Sequence, residues 1–386
     1  MLKVPVKRRR VQPLPTTDPF LKLFDTHHLI YQHFKVTDIT TSSLVSSQWN
    51  KEIGKSSVCM EKIQLAFEPK SVNEPSPNEV AAILKSNRRY KNLGFNCRYP
   101  GLDVLSKFAE STENLNLQSI SFEIPLGSVK FPKLKSLELG EEVPSRIVDT
   151  IFAGVEHGSI EKLAIHCDIT DSIISYFKKH NNITELTFNQ KMCRMFESQN
   201  VNYMRNQKIK KVYIMNNFYV DASDVMKRNI KSFIHSQLPT VNHVLLNLNR
   251  REMIKTAMEF PKLKILEMPF LLTFDTTNIP VNYSVAAAYF FLRFRDPEEM
   301  LLKMPNLQVL QWNFYEDFGE NLEMIARTCR KLRILYFAMA EDDFEEIDVH
   351  EAYEEMIIQD QYEINTTIQL IRTDFSFKLS LDMVQD

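Results

Sequence analysis

The chain has 386 residues, 44% of them hydrophobic, with a formal net charge of -2. So apolar a composition excludes a disordered chain, and so balanced a charge leaves no global field pointing to nucleic acid or a membrane. The 8 glycines form neither a GxG nor a GxxxxGK loop, so the common phosphate cradles are absent.

Residues 1–17 read as a flexible basic and proline-rich N-terminus. "KRRR", Lys7 to Arg10, has no apolar stretch behind it, which argues against a secretory signal and is compatible with nuclear import. The cysteines, Cys59, Cys97, Cys167, Cys193 and Cys329, are odd in number and show no CxxC spacing. That usage fits a reduced interior rather than a disulfide framework or zinc ribbon, so a cytoplasmic or nuclear location, or both, is expected. The longest apolar run, "VAAAYFFL" from Val285, is too short to cross a bilayer.

Residues 18–56 predict a small helical cluster. Phe24, Leu29, Ile30 and Phe34 recur at near-helical intervals, and Asp38 or Thr40 can cap the next helix. Leu44, Val45, Trp49 and Ile53 follow, and the i, i+4 relation of the last three places them on one helical face. A core this small is marginal alone and must lean on the rest of the chain, on a partner, or on both. His27, His28 and His33 lack the i, i+4 spacing of helical metal ligands, so no metal site is expected.

Residues 57–340 carry a repeat of the form L-x-x-L-x-L. Its phrases are Met60-Ile63-Leu65, Tyr90-Leu93-Phe95, Leu117-Ile120-Phe122, Leu134-Leu137-Leu139, Ile160-Leu163-Ile165 and Ile183-Leu186-Phe188. Further on come Ile209-Val212-Ile214, Val241-Val244-Leu246, Leu263-Leu266-Met268, Leu307-Leu310-Trp312 and Leu332-Leu335-Phe337. Most starts lie 22 to 32 residues apart, the period of leucine-rich repeats. Each unit supplies a short strand and a return segment, and it must stack on its neighbours to bury its apolar side. About eleven or twelve turns are expected. Leu117 to Leu134 is 17 residues and holds "EIPLGSVKFP", which predicts an extended loop rather than a helix. Leu263 to Leu307 is 44 residues, twice 22. Either a degenerate repeat with a strand over Ala288–Phe294, behind a loop at Leu271–Tyr283, or an insertion accounts for it.

The third, fifth and seventh positions of each phrase flank the buried leucines and should line the concave side. Early ones are polar or small: Lys62, Gln64, Asn92, Asn96, Ser119, Ser121, Glu123, Ser136 and Glu138. From Ile209 they become Tyr213, Met215, His243, Leu245, Ile265, Val309, Gln311 and Tyr336. Apolar and aromatic residues gathered on one surface indicate a covered or binding face. The cover would be a target protein or the chain's own residues 341–386. That last segment opens on "EDDFEEIDVHEAYEE", nine acids in fifteen residues, a soluble cap for the final repeat or a docking surface for a basic partner. No GxSxG, HExxH or Cys-His pattern occurs, so neither catalysis nor a cofactor is expected. The acceptor patterns at Asn182, Asn282 and Asn365 are treated as chance in a chain without a signal peptide.

Two resemblances join these readings. "LIYQHFKVTDITTSSLVSSQWNKEIGKS" resembles an F-box, with Ile30, Tyr31, Phe34, Asp38, Ile39, Ser43, Val45, Ser46 and Trp49 matching in order. Phe24-Asp25 stands where that family usually opens with Leu-Pro. "LAIHCDITDSIISYFKKHNNITELTF" and "IARTCRKLRILYF" resemble cysteine-containing leucine-rich repeats, with Cys167 one residue early; Cys167 and Cys329 read as small buried hydrophobes. The resemblance implies an α/β fold, a three-helix F-box followed by a repeat solenoid with a curved parallel sheet inside and helices outside. It further implies the substrate receptor of a Skp–cullin–F-box ubiquitin ligase. Phe24, Leu29, Ile30, Phe34, Ile39, Leu44, Val45 and Trp49 would meet the Skp-family adaptor, and through it the cullin and RING subunits, while the repeats hold a target protein. The alternative is a non-degradative repeat scaffold with a helical N-terminal cap.

Overall fold

A computed structural model describes residues 31–45, 47–67, 77–96, 102–119, 129–155, 158–189, 191–196, 207–214, 224–237, 239–246, 251–268, 276–290, 297–313, 318–338 and 369–372. It is an α/β protein built on one open sheet of 13 strands, paired strictly in chain order and parallel throughout. The strands are β1 Gln64–Phe67, β2 Asn92–Asn96, β3 Asn114–Ser119, β4 Ser136–Glu142, β5 Lys162–Ile165, β6 Glu185–Phe188 and β7 Lys211–Ile214. Beyond them lie β8 His243–Leu246, β9 Ile265–Met268, β10 Ala287–Phe290, β11 Val309–Asn313, β12 Ile334–Ala338 and β13 Gln369–Arg372.

Before the sheet come α1 Val36–Val45, α2 Ser47–Lys55 and α3 Ser57–Lys62, with residues 31–33 also helical. The returns between strands carry α4 Pro77–Lys85, α5 Leu102–Phe108, α6 Ser145–Gly154, α7 Asp171–Lys179, α8 Asp224–Gln237, α9 Arg251–Met258, α10 Pro297–Leu302 and α11 Phe318–Thr328. Each helix that can be followed turns its apolar side to the sheet. In α6, Ile147, Val148 and Ile151 are buried, and in α7 Ile173, Tyr176 and Phe177 are. Alternate strand residues meet them from the sheet, as Leu137 and Leu139 do in β4. The result is one core running the length of the sheet, with Phe95, Phe108, Phe177, Phe233 and Phe290 among its fully buried side chains. Burying each such ring stabilises by about 1.5–3 kcal/mol.

Strand pairing corrects the phrase register in two places. Leu65 and Phe67 align with Leu93 and Phe95, so the first inward pair lies two residues after Ile63-Leu65. Leu115 and Leu117 align with Leu137 and Leu139, so the third strand lies five residues before Ile120-Phe122. The apparent 17-residue interval disappears, because Leu93, Leu115 and Leu137 are 22 residues apart in register. The expected absence of a helix there holds for residues 129–135. Phe131 instead bridges Val155 in parallel fashion, and its N–H donates to the Gly154 carbonyl at 2.8 Å. Gly154 has to be a glycine at this crossing, since a Cβ would run into the Val129 carbonyl.

The doubled interval is a repeat. β10 pairs with β9 and β11, with Ala288 and Phe290 inward and Ala287 and Tyr289 on the other face. Residues 291–296, where the alternation was expected to continue, lie outside the described residues. The return into β10 has no helix over residues 276–286. Buried Asn282 holds it, donating to the Met258 and Phe260 carbonyls at 3.0 and 2.9 Å and accepting from the Ser284 N–H at 2.8 Å. β13 was not anticipated and falls inside the segment set apart as an acidic terminus.

Candidate interaction surfaces

The N-terminal helices form their own small core from Tyr31, Ile39, Ile53 and Cys59, with Phe34, Trp49, Val58 and Ile63 packed around it. Local chemistry fixes the turns. The Lys35 N–H donates to Asp38 Oδ2 at 2.8 Å at the start of α1, and the Cys59 N–H donates to Ser56 Oγ at 3.3 Å at the start of α3. Lys62 Nζ donates to the carbonyls of Tyr31, Gln32 and Phe34 at 3.1, 2.6 and 2.8 Å, satisfying groups that a helix end leaves open. Lys62 therefore ties the cluster together rather than lining the sheet. The cluster is joined to the repeats by Lys91, which reaches Glu61 at 2.6 Å, and by Asn92, whose Nδ2 donates to the Glu61 carbonyl at 2.7 Å.

The placing of Val45 in α1 and of Ile53 in α2 corrects one expectation. Val45 ends α1 and is 71% exposed, whereas Ile53 sits in α2 and is fully buried, so the two do not share a face. Leu44, 83% exposed, and Val36 are on the surface with Val45, while Ile39 is core and Trp49 and Phe34 are half-buried against that core. Phe24, Leu29 and Ile30 lie outside the described residues, as do His27 and His28.

The sheet face away from the helices carries two rows. The first runs Gln64, Asn92, Asn114, Ser136, Lys162, Glu185, Lys211, His243, Ile265, Ala287, Val309 and Ile334 in strict register. It passes from amides through alternating charges to aliphatics. Asn114 Nδ2 donates to Asn92 Oδ1 at 2.6 Å, and Lys162 pairs with Glu185 at 2.7 Å. The second row places Tyr213 beside Leu245, then Glu267, Tyr289, Gln311 and Tyr336. His243 Nε2 contacts Glu267 Oε1 with both side chains buried. Lys211 Nζ lies 4.9 Å from the centre of the Tyr213 ring. Burial lowers the Lys211 ammonium against the pull of Glu267 and Glu185, and raises the Tyr213 phenol to about 12.

The expected target-binding residues divide on this face. Tyr213 and Leu245 are half-buried, each keeping part of its surface accessible. His243, Ile265, Val309, Gln311 and Tyr336 are buried within the chain, the last four together with Ala287 and Tyr289 around β9–β12. Met215, Ser121 and Glu123 lie outside the described residues. Among the described residues neither Nε2 nor Oε1 of Gln311 has a hydrogen-bond partner, although the side chain is fully buried. Glu267 occupies the fifth position of its phrase and was legible as a face residue. Its burial opposite His243 was not, because only strand pairing brings the two positions together.

A second concavity went unread in the sequence. A cleft of about 950 Å³ opens between α2 and the loops leading into β2, β3 and β4, lined among others by Lys51, Lys55, Arg88, Arg89, Lys91 and Lys133. Arg88 donates through Nη2 to Asn50 Oδ1 across it.

Among the described residues no His, Cys, Asp and Glu side chains gather into a group of three or more that could hold a metal ion. No helix among them is long and apolar enough to cross a membrane. Cys59, Cys167 and Cys329 are free and buried, and burial raises the thiols of Cys167 and Cys329 to about 11 and about 12, far from nucleophilic thiolates. Neither a protein-family model nor a curated protein sequence matches the chain.

Proposed function

We propose that this chain is the substrate-recognition subunit of a Skp–cullin–F-box ubiquitin ligase. The observation that carries the reading is the exposed Leu44–Val45 pair, 83% and 71% accessible at the end of α1, on a packed helical cluster at the head of a parallel repeat sheet. Two adjacent aliphatic side chains held out by a helix that turns Ile39 into its core form a surface for a partner. The Skp-family adaptor docks there, and the cullin and RING subunits follow through it. The repeats hold a target protein near the charged conjugating enzyme, so the chain contributes effective concentration and no catalytic group. On the sheet face the accessible target-binding residues are Tyr213 and Leu245, flanked by Lys211.

The same helices also cap the sheet, because Lys91, Asn92 and Arg88 join them to the first repeats. A capping cluster in a non-degradative scaffold is the second reading. Co-purification separates the two: the tagged chain should retain the Skp adaptor, and Leu44→Asp with Val45→Asp should release it while the fold persists. Failure of the unaltered chain to bind any Skp-family adaptor would leave the scaffold.

A further inference from the structure

Among the described residues the cleft between α2 and the first repeats is walled by six cations, with Glu113 the single carboxylate in its lining. Lys91 is committed to Glu61 and Glu113, at 2.6 and 3.0 Å, and Lys55 to Glu52 at 2.9 Å. No carboxylate among the described residues reaches Lys51, Arg88, Arg89 or Lys133 within ion-pair distance. Even with those three carboxylates set against it, the cleft keeps an excess of positive charge. Ser57 and Asn87 add neutral donors to the same wall. Cations in a concave wall focus their field into it, whereas scattered surface lysines do not.

The matching anion stands in the sequence. Glu341–Glu355 holds nine acids in fifteen residues and no Lys or Arg. Setting those nine aside leaves forty acids against 47 basic residues, so the rest of the chain is basic. The overall charge of -2 conceals two complementary parts.

The topology decides which copy supplies the segment. It leaves the sheet after Ala338, the end of β12, and the chain returns at Gln369 in β13. Strands lie about 4.8 Å apart, so the ten spacings from β2 to β12 amount to about 48 Å along the sheet. Ten residues, from Ala338 to the middle of the acidic run, reach about 36 Å at full extension. Of a copy's own segment only about residues 352–355 span that distance at full extension from both β12 and β13, bringing two of the nine acids, while a second molecule can present all nine.

We propose that the cleft between α2 and the loops before β2–β4 binds the acidic segment Glu341–Glu355 of a second copy of this chain, joining molecules head to tail. A volume of about 950 Å³ accommodates a short peptide stretch, and Glu113 within the wall disfavours a continuous polyphosphate. The contact is heterologous, the first molecule's acidic end meeting the second molecule's basic end. It involves neither Leu44 nor Val45, so it stands apart from the adaptor reading.

The test uses the full chain and a fluorescein-labelled peptide of residues 341–355, read by anisotropy and by sedimentation at low and high salt. The peptide should bind the unaltered chain, and Lys51→Ser with Arg89→Ser should weaken it roughly ten- to a hundredfold. Both side chains are exposed, so circular dichroism should not change. The full chain should self-associate at low salt and separate at high salt. In a second variant, Asp342→Asn, Asp343→Asn, Glu345→Gln and Glu346→Gln, self-association should vanish while the added peptide still binds. A peptide that fails to bind, binds the cleft variant equally well, or is displaced at equal concentration by single-stranded DNA of the same length would overturn the proposal. So would a chain that stays monomeric at low salt over the concentrations at which the peptide binds.

Discussion

Val45 and Trp49 are four residues apart, and the structure gives them opposite work. Val45 is exposed at the end of α1, while Trp49 in α2 leans on the core of Ile39 and Ile53. Val45→Asp should leave hydrogen exchange in α1–α3 unchanged and abolish the proposed adaptor capture. Trp49→Ala should loosen the cluster, at the low end of the about 3–5 kcal/mol that deleting a buried Trp costs, since the ring is half-buried. Equal loosening by both variants would refute the division. Tyr31, Tyr176 and Tyr213 make a second residue-scale case. Burial is the first cause in each and pushes the phenol to about 12. An unfolded tyrosine ionises near about 10. The folded state therefore binds these protons more tightly, and the stability they contribute is full below about pH 10 and lost as pH rises toward about 12. Ultraviolet titration of tyrosinate should show phenols ionising together with alkaline unfolding, and early release of every phenol near pH 10 would contradict their burial. Gln311, buried between Tyr289 and Tyr336 with its amide unsatisfied, costs desolvation without return. Gln311→Met should be neutral or raise stability by about 1 kcal/mol in urea unfolding, and a clear loss would mean that the amide is engaged.

At the element scale the departures from regularity sit where a helix is missing. Between β3 and β4 the chain runs back through Phe131, in bridge contact with Val155 and so close to α6 that Gly154 faces the Val129 carbonyl directly. Gly154→Ala forces the backbone apart there and should cost about 1–3 kcal/mol, read as lost exchange protection in β4 and α6. Alanine normally favours a helix over glycine, so a stabilising result would show that the crossing gives way. These elements also show what the sequence could reveal. From Leu134 onward the phrase register is right because each inward pair is aliphatic or aromatic and the flanking residues mostly are not. Met60-Ile63-Leu65 and Ile120-Phe122 misled because they alternate equally well, and only pairing to Leu93 and to Leu137 selects Leu65-Phe67 and Leu115-Leu117. β10 was blurred by Ala288 in place of leucine, and β13 by the acidic run before it. The apolar character of the open face was legible at Ile265, Val309 and Tyr336. Its burial was not, since alternation fixes the side a residue faces and says nothing of what lies over it.

For the whole molecule, the pairing order makes stability a nearest-neighbour matter. Every strand pairs only with those before and after it in sequence, so β1 has β2 on one side and the α1–α3 cluster beside it in the chain. In such a stack each repeat draws its stability from its own packing and its two interfaces, and an end repeat is stable only when capped. Removing residues 1–62 takes away Glu61, which holds Lys91 and Asn92, and leaves Leu65 and Phe67 at an open parallel edge. The expected damage is local. Exchange protection should fall in β1–β3 and survive from β5 onward, because Leu163, Ile165, Leu186 and the helices over them keep all their neighbours. Uniform loss through β12 would instead mean that the sheet folds as a single cooperative unit and that the N-terminal cluster nucleates it. Because Leu44 and Val45 are exposed and lie outside the core of the cluster, capping and the proposed adaptor binding separate cleanly. The deletion should lose both the cap and adaptor capture, whereas Val45→Asp should lose adaptor capture alone.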